Sequence, residues 1–388
     1  MKIVKCDIEV IGDGPNIDPD KGGVEPLPIL HVHTDEGISG MSEMFRVPAG
    51  VARAALVGPN AFFHDVIGAQ LIHPEAIWNR LYDAMLHSNR RGWAIRCLGA
   101  LDVALWDIYG KANALPVFEL MGGAERNPFQ TDPQQTNQAT HITPYATIVS
   151  DTWEPEVVLR QQIERCEQLA DMGYFAFKVE PMHSTRETAV ELVKRAREAL
   201  GPEAILALDV GYGYIDHAKA LWVAQRVEEF DVYFFETPFP VDSPHAYARL
   251  AEKTSIPLAM GEHACTRFEF LDMMDHGEVT VCQPYASNVG GITESKRIVD
   301  EAKRRGALVI PGNWSTQILG MANAHVAAYS AVSPYVEYAV AEIYDSPLRA
   351  AIQDLAPPVI NGVHALPDQP GIGIELPRDL IEKFRLDM

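Results

Sequence analysis

Between residues 205 and 262 three short apolar runs each close on an acid: ILALD (205–209), YFFE (233–236) and LAMGE (258–262). Each is strand-sized, and the stretches between them are charged and amphipathic with a helical period. Working outward, the unit recurs eight times, as TPYATIV, YFAFKVE, AILALDV, VYFFETP, IPLAMGE, VTVCQPY, ALVIPG and YVEYAV. From Lys178 to Asp209 is 31 positions, then 27 to Glu236, 26 to Glu262 and 23 to Tyr285. An eight-unit barrel of about 250 residues needs about 31 per unit. Strands alternating with helices at this interval predict parallel βαβ units. A doubly wound open sheet shares the alternation, but not the reason for acids at successive strand ends. The predicted class is therefore α/β, a (β/α)7β TIM-like barrel whose strand ends converge on one mouth.

Three carboxylates gathered at that mouth repel and raise one another's pKa. A hard cation between them removes the conflict, and oxygen-only ligation suits Mg²⁺. Asp209, Glu236 and Glu262 are predicted to hold one Mg²⁺. Any one of them alone reads equally well as a helix cap or a solvated acid. Their repetition at equivalent positions favours the shared ion.

N-terminal to the barrel, Ile3 to Ile11, Ile29 to Val32 and GISGMSEMF (37–45) have strand character, and NIDPDKGGVEP (16–26) reads as a loop. From Pro48 to Gly122 the period turns helical, with Ile95, Leu98, Leu101, Leu105 and Ile108 on one face. Pro116 breaks that pattern and Gly122-Gly123 ends it. The polar run ERNPFQTDPQQTNQATH (125–141) is the predicted linker.

The 388 residues carry a formal net charge of −21, which disfavours nucleic acid and anionic membranes as partners. The five cysteines are scattered without a C-x-x-C pair, so neither a disulfide framework nor a zinc site is expected, and a cytoplasmic setting fits. The N-terminus lacks the apolar core of a signal peptide, and no window reaches the roughly 18 apolar residues of a membrane span.

LGALDVALWDIYGKANALPVFELMGG (98–123), FFETPFP (234–240), MGEHACTRFEF (260–270), QPYASNVGGITES (283–295) and NGVHALPDQPGIGIEL (361–376) stand in that order. Together they resemble the enolase superfamily, in its mandelate racemase/muconate lactonizing enzyme branch, and the GEH-x-x-TR-x-x-F form resembles acid-sugar dehydratases most. The resemblance covers almost the whole chain. It implies a capping domain over residues 1–128, to which 355–388 return, and a barrel over 140–354. It also implies a homo-oligomer and a small-molecule carboxylate substrate such as an aldonate or aldarate. Mg²⁺ would bind the substrate carboxylate and stabilise the enediolate left when a base takes the α-proton. Loss of water would then give a 2-keto-3-deoxy acid. A cycloisomerase or epimerase acting through the same enediolate is the alternative, and a non-catalytic barrel that binds metal and ligand is another.

The chain departs from the family at its bases. The usual Lys-x-Lys of the second strand is Lys178-Val179-Glu180 here. Alternation turns Ala176, Lys178 and Glu180 inward and Phe175, Phe177 and Val179 outward. The sixth-strand Asp and seventh-strand His positions hold Tyr285 and Gly312. This leaves Lys178 as the expected acid/base or carboxylate-orienting group, or else a counter-ion for its acidic neighbours. Tyr285 and His263 are expected to protonate the leaving group, with Tyr212 as a further substitute. Glu180 and Glu337 are expected to contact substrate, Glu342 being the competitor for the eighth-strand role. Glu43 and Arg46 are expected to meet its distal part, beneath a DPDKGG loop that closes the mouth.

Overall fold

A computed structural model describes residues 1–15, 17–123 and 141–388. The eight predicted runs form eight strands: β4 (His141–Ile148), β5 (Ala176–Val179), β6 (Ile205–Asp209), β7 (Val232–Glu236), β8 (Leu258–Met260), β9 (Val281–Cys282), β10 (Leu308–Val309) and β11 (Tyr335–Tyr338). They pair in parallel in the order β10-β9-β8-β7-β6-β5-β4, with β11 on the far side of β4. The ring closes where Glu337 N donates to Pro311 O at 3.0 Å and Val309 N to Val332 O at 2.8 Å. Seven strands each send one residue into an interior layer, Tyr145, Ala176, Ala207, Phe234, Ala259, Val281 and Tyr335, joined by Ile310 just past β10. This layer makes a packed floor beneath the mouth rather than a pore.

Helices α5 (Pro155–Asp171), α6 (Arg186–Leu200), α7 (His217–Val227), α8 (Pro244–Ala251), α9 (Thr266–His276), α10 (Ala286–Val289) with α11 (Ile292–Arg305), and α12 (Gln317–Tyr329) fill the seven crossovers. Their starts follow local chemistry. The side chains of Thr185, Asp216 and Thr316 accept from backbone N–H groups in the first turns of α6, α7 and α12. Proline opens α5 and α8, where no N–H is needed.

The first strands, β1 (Ile3–Ile11), β2 (Leu27–Thr34) and β3 (Ser39–Glu43), form an antiparallel sheet. It packs with α1 (Ala49–Leu56), α2 (Pro74–Ala84) and α3 (Trp93–Asn113) around a second apolar core; the short α4 (Val117–Leu120) follows α3. The predicted face of α3 (Ile95, Leu98, Leu101, Leu105, Ile108) is buried there. On another face Asp102 accepts from Thr293 N (2.8 Å) and Thr293 Oγ1 (2.7 Å) of α11. A Cβ on Gly99 would lie 2.6 Å from Ser287 O, so only glycine lets α3 approach the barrel this closely.

The linker predicted over 125–141 lies outside the described residues except for His141, which opens β4. After the barrel come α13 (Pro347–Gln353), then β12 (Val359–Ile360) and β13 (Val363–Ala365), and last α14 (Arg378–Phe384). β13 pairs antiparallel with β4, so this part of the tail stays with the barrel. Further on the chain reaches the first sheet, where Gly12 N donates to Phe384 O and Leu386 N to Val10 O. Among the described residues no helix is long and apolar enough to cross a membrane.

Candidate active site

Asp209 and Glu236 end β6 and β7 and face each other in register. Glu262 lies two residues past β8, after Gly261 at φ 145°. A Cβ on Gly261 would sit 2.8 Å from the backbone of Gln283, so the chain bends there as only glycine permits. Lys178 comes up from β5 beside them, almost wholly buried. Its Nζ lies 2.9 Å from Glu337, 3.0 Å from Glu236, 3.2 Å from Asp209 and 3.3 Å from Glu180. The inward alternation of Ala176, Lys178 and Glu180 is thus what the fold adopts.

The neighbouring polar groups hold these carboxylates in place. Asp209 Oδ1 accepts from Thr237 Oγ1 (2.6 Å) and Gly211 N (2.8 Å), and Glu236 Oε2 from Gln283 Nε2 (2.7 Å). Glu337 accepts from Thr147 Oγ1 (2.6 Å), Tyr285 Oη (2.8 Å) and Asn313 N (2.6 Å) as well as from Lys178. Burial opposes the Lys178 charge, but Glu236 and Glu337 outweigh it and hold its pKa well above the lysine range. Burial, then Asp209, lifts Glu262 to about 7 and Glu236 well above the carboxylate range. For Glu337 burial is overcome by Lys178 and the donated hydrogen bonds, and its pKa falls.

Among the described residues no group of three His, Cys, Asp or Glu side chains is already arranged as a cation cage. Lys178 Nζ instead bridges two of the three predicted ligands. The donor set nevertheless fits Mg²⁺. The three groups are all carboxylates, two of them in register on adjacent strands and hydrogen-bonded from behind. With Glu180 and Glu337 they make five acids around one ammonium, four of them buried and paired with it and Glu262 partly exposed. A cation would share oxygens with that ammonium.

Lys178, Glu180, Asp209, Glu262 and Glu337 line a cavity of about 240 Å³ together with Tyr285, His263, Tyr212, Asp20, Arg46 and Trp314, whereas Glu236 does not reach its wall. Tyr285 is buried against Phe45 at 5.7 Å, and burial raises its hydroxyl pKa well above the usual value. A Cβ on Gly312 would lie 1.9 Å from the Tyr285 ring, so the glycine at the expected histidine position makes room for this tyrosine. His263 stacks on Tyr212 at 5.7 Å, with Nε2 3.4 Å from Glu262. Burial, then Arg96 and Arg46, lowers its pKa to about 4.

Above the cavity Arg46 pairs with Asp20 at 3.0 Å, and Trp314 Nε1 donates to Pro19 O at 2.9 Å. The DPDKGG segment therefore lies over the mouth. Glu43 does not line the cavity. It is buried behind the wall, accepts from Thr316 Oγ1, and has its pKa raised by burial to about 7. Its strand position was legible, but not that Thr316 would draw the carboxylate away. Glu342 accepts from Gln353 Nε2 away from the cavity, whereas Glu337 lines it. Thr147, Gln283 and Asn313 had no sequence signal beyond lying near strand ends.

Residues 22–122 match the N-terminal domain of the mandelate racemase/muconate lactonizing enzyme family, and residues 161–380 match the enolase C-terminal domain-like family. The chain is 28% identical over 366 residues to a D-galactarolactone cycloisomerase of Agrobacterium fabrum, covering 92% of this chain and 91% of that protein. It is 30% identical over 373 residues to a D-galactonate dehydratase of Xanthomonas oryzae pv. oryzae, covering 91% and 90%. The crystal structure of the 3,6-anhydro-D-galactonate cycloisomerase from Zobellia galactanivorans superposes with a TM-score of 0.85 at 26% identity, over the full length of both chains. With both domains matched in order and the barrel and cap observed, the chain belongs to the mandelate racemase/muconate lactonizing enzyme group of the enolase superfamily.

Proposed function

We propose that this chain is a Mg²⁺-dependent sugar-acid dehydratase. It removes the proton next to the carboxylate of an aldonate or aldarate and expels the hydroxyl of the adjacent carbon as water. The observation that carries this is one buried ammonium, Lys178, set among carboxylates in a cavity that Tyr285 and His263 also line. Asp209, Glu236 and Glu262 would hold the cation, which offsets the charge developing on the substrate carboxylate.

Lys178, charged and fixed by four carboxylates, orients the substrate carboxylate by direct pairing. Tyr285 keeps its proton at neutral pH and is the donor to the departing hydroxyl, whereas His263, with its pKa lowered to about 4, is neutral there and serves as a hydrogen-bonding group. Glu337 holds Tyr285 in place through the 2.8 Å hydrogen bond. Arg46, steadied by Asp20, is available to the distal hydroxyls, and the segment above it excludes water.

One observation favours a second outcome of the same chemistry. The similarity to a D-galactarolactone cycloisomerase and to a 3,6-anhydro-D-galactonate cycloisomerase supports a ring oxygen rather than a hydroxyl as the leaving group. Incubation with Mg²⁺ and D-galactonate, D-galactarolactone or 3,6-anhydro-D-galactonate separates the cases. A dehydratase gives a semicarbazide-reactive 2-keto acid lighter by one water. A cycloisomerase gives a product of unchanged mass. Binding of these acids without turnover or α-proton exchange in D₂O would refute both and leave a non-catalytic binding barrel.

A further inference from the structure

The carboxylates at the barrel mouth differ in how fully their oxygens are engaged. Glu337 receives two donors on each oxygen. Asp209 receives three donors in all, and Glu236 Oε2 receives two. Glu262, with His263 Nε2 at 3.4 Å, and Glu180 are the two lightly engaged ones, and Glu262 is the one already assigned to the cation. Among the described residues the Glu180 carboxylate has a single polar contact, Lys178 Nζ at 3.3 Å, the longest of the four that the ammonium makes. Its backbone, by contrast, is pinned on both sides: Glu180 N donates to Gln162 Oε1 at 2.9 Å, and Gln162 Nε2 donates to Glu180 O at 2.7 Å. Gln162 is itself fully buried on α5. The side chain is therefore fixed at its root and unencumbered at its tip, inside the cavity. A substrate carboxylate paired with Lys178 brings its α-carbon next to this free oxygen, the juxtaposition a general base requires.

We propose that Glu180 is the catalytic base that takes the α-proton, with Lys178 holding the substrate carboxylate beside it. This rests on the dehydratase reading above. The α C–H bond breaks, its proton goes to a Glu180 oxygen, and its electron pair enters the substrate carboxylate as an enediolate. Return of that pair forms the carbon–carbon double bond and breaks the β C–O bond, and the hydroxyl leaves as water with a proton from Tyr285. The enol then tautomerises to the ketone, and exchange with solvent resets Glu180 and the donor.

The test uses the Mg²⁺-loaded full chain, Glu180→Gln and Glu180→Asp, and whichever of D-galactonate and D-galactarolactone the wild type turns over. In Glu180→Gln, turnover and α-proton exchange in D₂O should both fall about 10²- to 10⁴-fold, while KM stays within about threefold. Mn²⁺ affinity, read by EPR titration, should stay within about threefold of wild type, which a loss of cation ligation would not allow. In Glu180→Asp, whose carboxylate is set back by one methylene, exchange should fall at least about tenfold. Exchange at the wild-type rate in either variant overturns the assignment, as does a loss of Mn²⁺ affinity matching the loss of rate. If the wild type itself neither exchanges nor turns over either compound, the dehydratase reading has failed and this one falls with it. A wild type that turns over, beside an equally active variant, refutes the Glu180 role alone.

Discussion

Gly312→Ala should be one of the most damaging single-methyl additions to this chain. The new Cβ would lie 1.9, 2.6 and 2.9 Å from three atoms of the Tyr285 ring, which is buried and stacked on Phe45. No flexible end can swing clear, so the ring itself must shift and its 2.8 Å hydrogen bond to Glu337 must break. Overpacking of a buried site costs about 1–3 kcal/mol, and a buried hydroxyl left without its partner costs about 1–3 kcal/mol more. The expected loss is about 2–6 kcal/mol, read as a drop in the urea unfolding midpoint. Tyr285→Ala removes the obstacle, so adding Gly312→Ala to it should cost less than about 1 kcal/mol, a coupling of about 1 kcal/mol or more in the double-mutant cycle. The steric argument is refuted if Gly312→Ala unfolds within about 0.5 kcal/mol of wild type, or if the two substitutions are additive.

Lys178→Met removes an ammonium that shares Asp209 and Glu236 with any bound cation, so Mn²⁺ affinity should rise about tenfold or more, about 1.4 kcal/mol; unchanged or weaker binding in an EPR titration contradicts that competition. His364 is buried with neither ring nitrogen hydrogen-bonded among the described residues, and burial, then His141, lowers its pKa to about 4. Its folded pKa lies below the unfolded value of about 6.5, so its contribution is intact above pH 6.5 and lost as pH falls through 4. Glu43 and Asp102, raised by burial to about 7, act in the opposite direction, so the quantity to measure is the difference between wild type and His364→Phe. Relative to pH 7, that difference should move against the wild type by roughly 3 kcal/mol at pH 4, and a pH-independent difference contradicts it. Val57, Phe62, Ile67, Ile72, Leu86 and Trp93 are large exposed apolar side chains of the capping region, which supports self-association. Light scattering at micromolar concentration should give at least twice the 42.9 kDa chain mass, and a monomer would refute a homo-oligomer.

The strands were legible because each is a short apolar run bounded by polar residues, and a parallel barrel strand buried on both faces must read that way. Asp209 and Glu236 were legible for the same reason: an acid ending such a run has nowhere to go but the mouth. Glu262 was assigned to a strand end, yet it lies beyond the strand on a glycine bend, a difference of two residues that periodicity does not resolve. The inward direction of Lys178 and Glu180 followed from alternation on β5. That Lys178 Nζ sits within 3.3 Å of four carboxylates did not, because such contacts depend on how four strands converge. Glu43 illustrates the same limit: its position on β3 was fixed by pattern, but its partner Thr316 is 273 residues away. The exchange between Gly312 and Tyr285 was visible only as two separate departures from a family pattern, and the shared volume that links them belongs to three dimensions.

The most direct test follows the α-proton by ¹H NMR in D₂O, with the purified chain, Mg²⁺ and the three acids named above, and with EDTA in place of Mg²⁺ as control. For at least one acid the α-proton signal should disappear as a 2-keto-3-deoxy product grows in, and EDTA should abolish both changes. An α-proton signal that persists for all three acids in the presence of Mg²⁺ and folded protein would contradict cation-dependent α-proton abstraction at this barrel mouth.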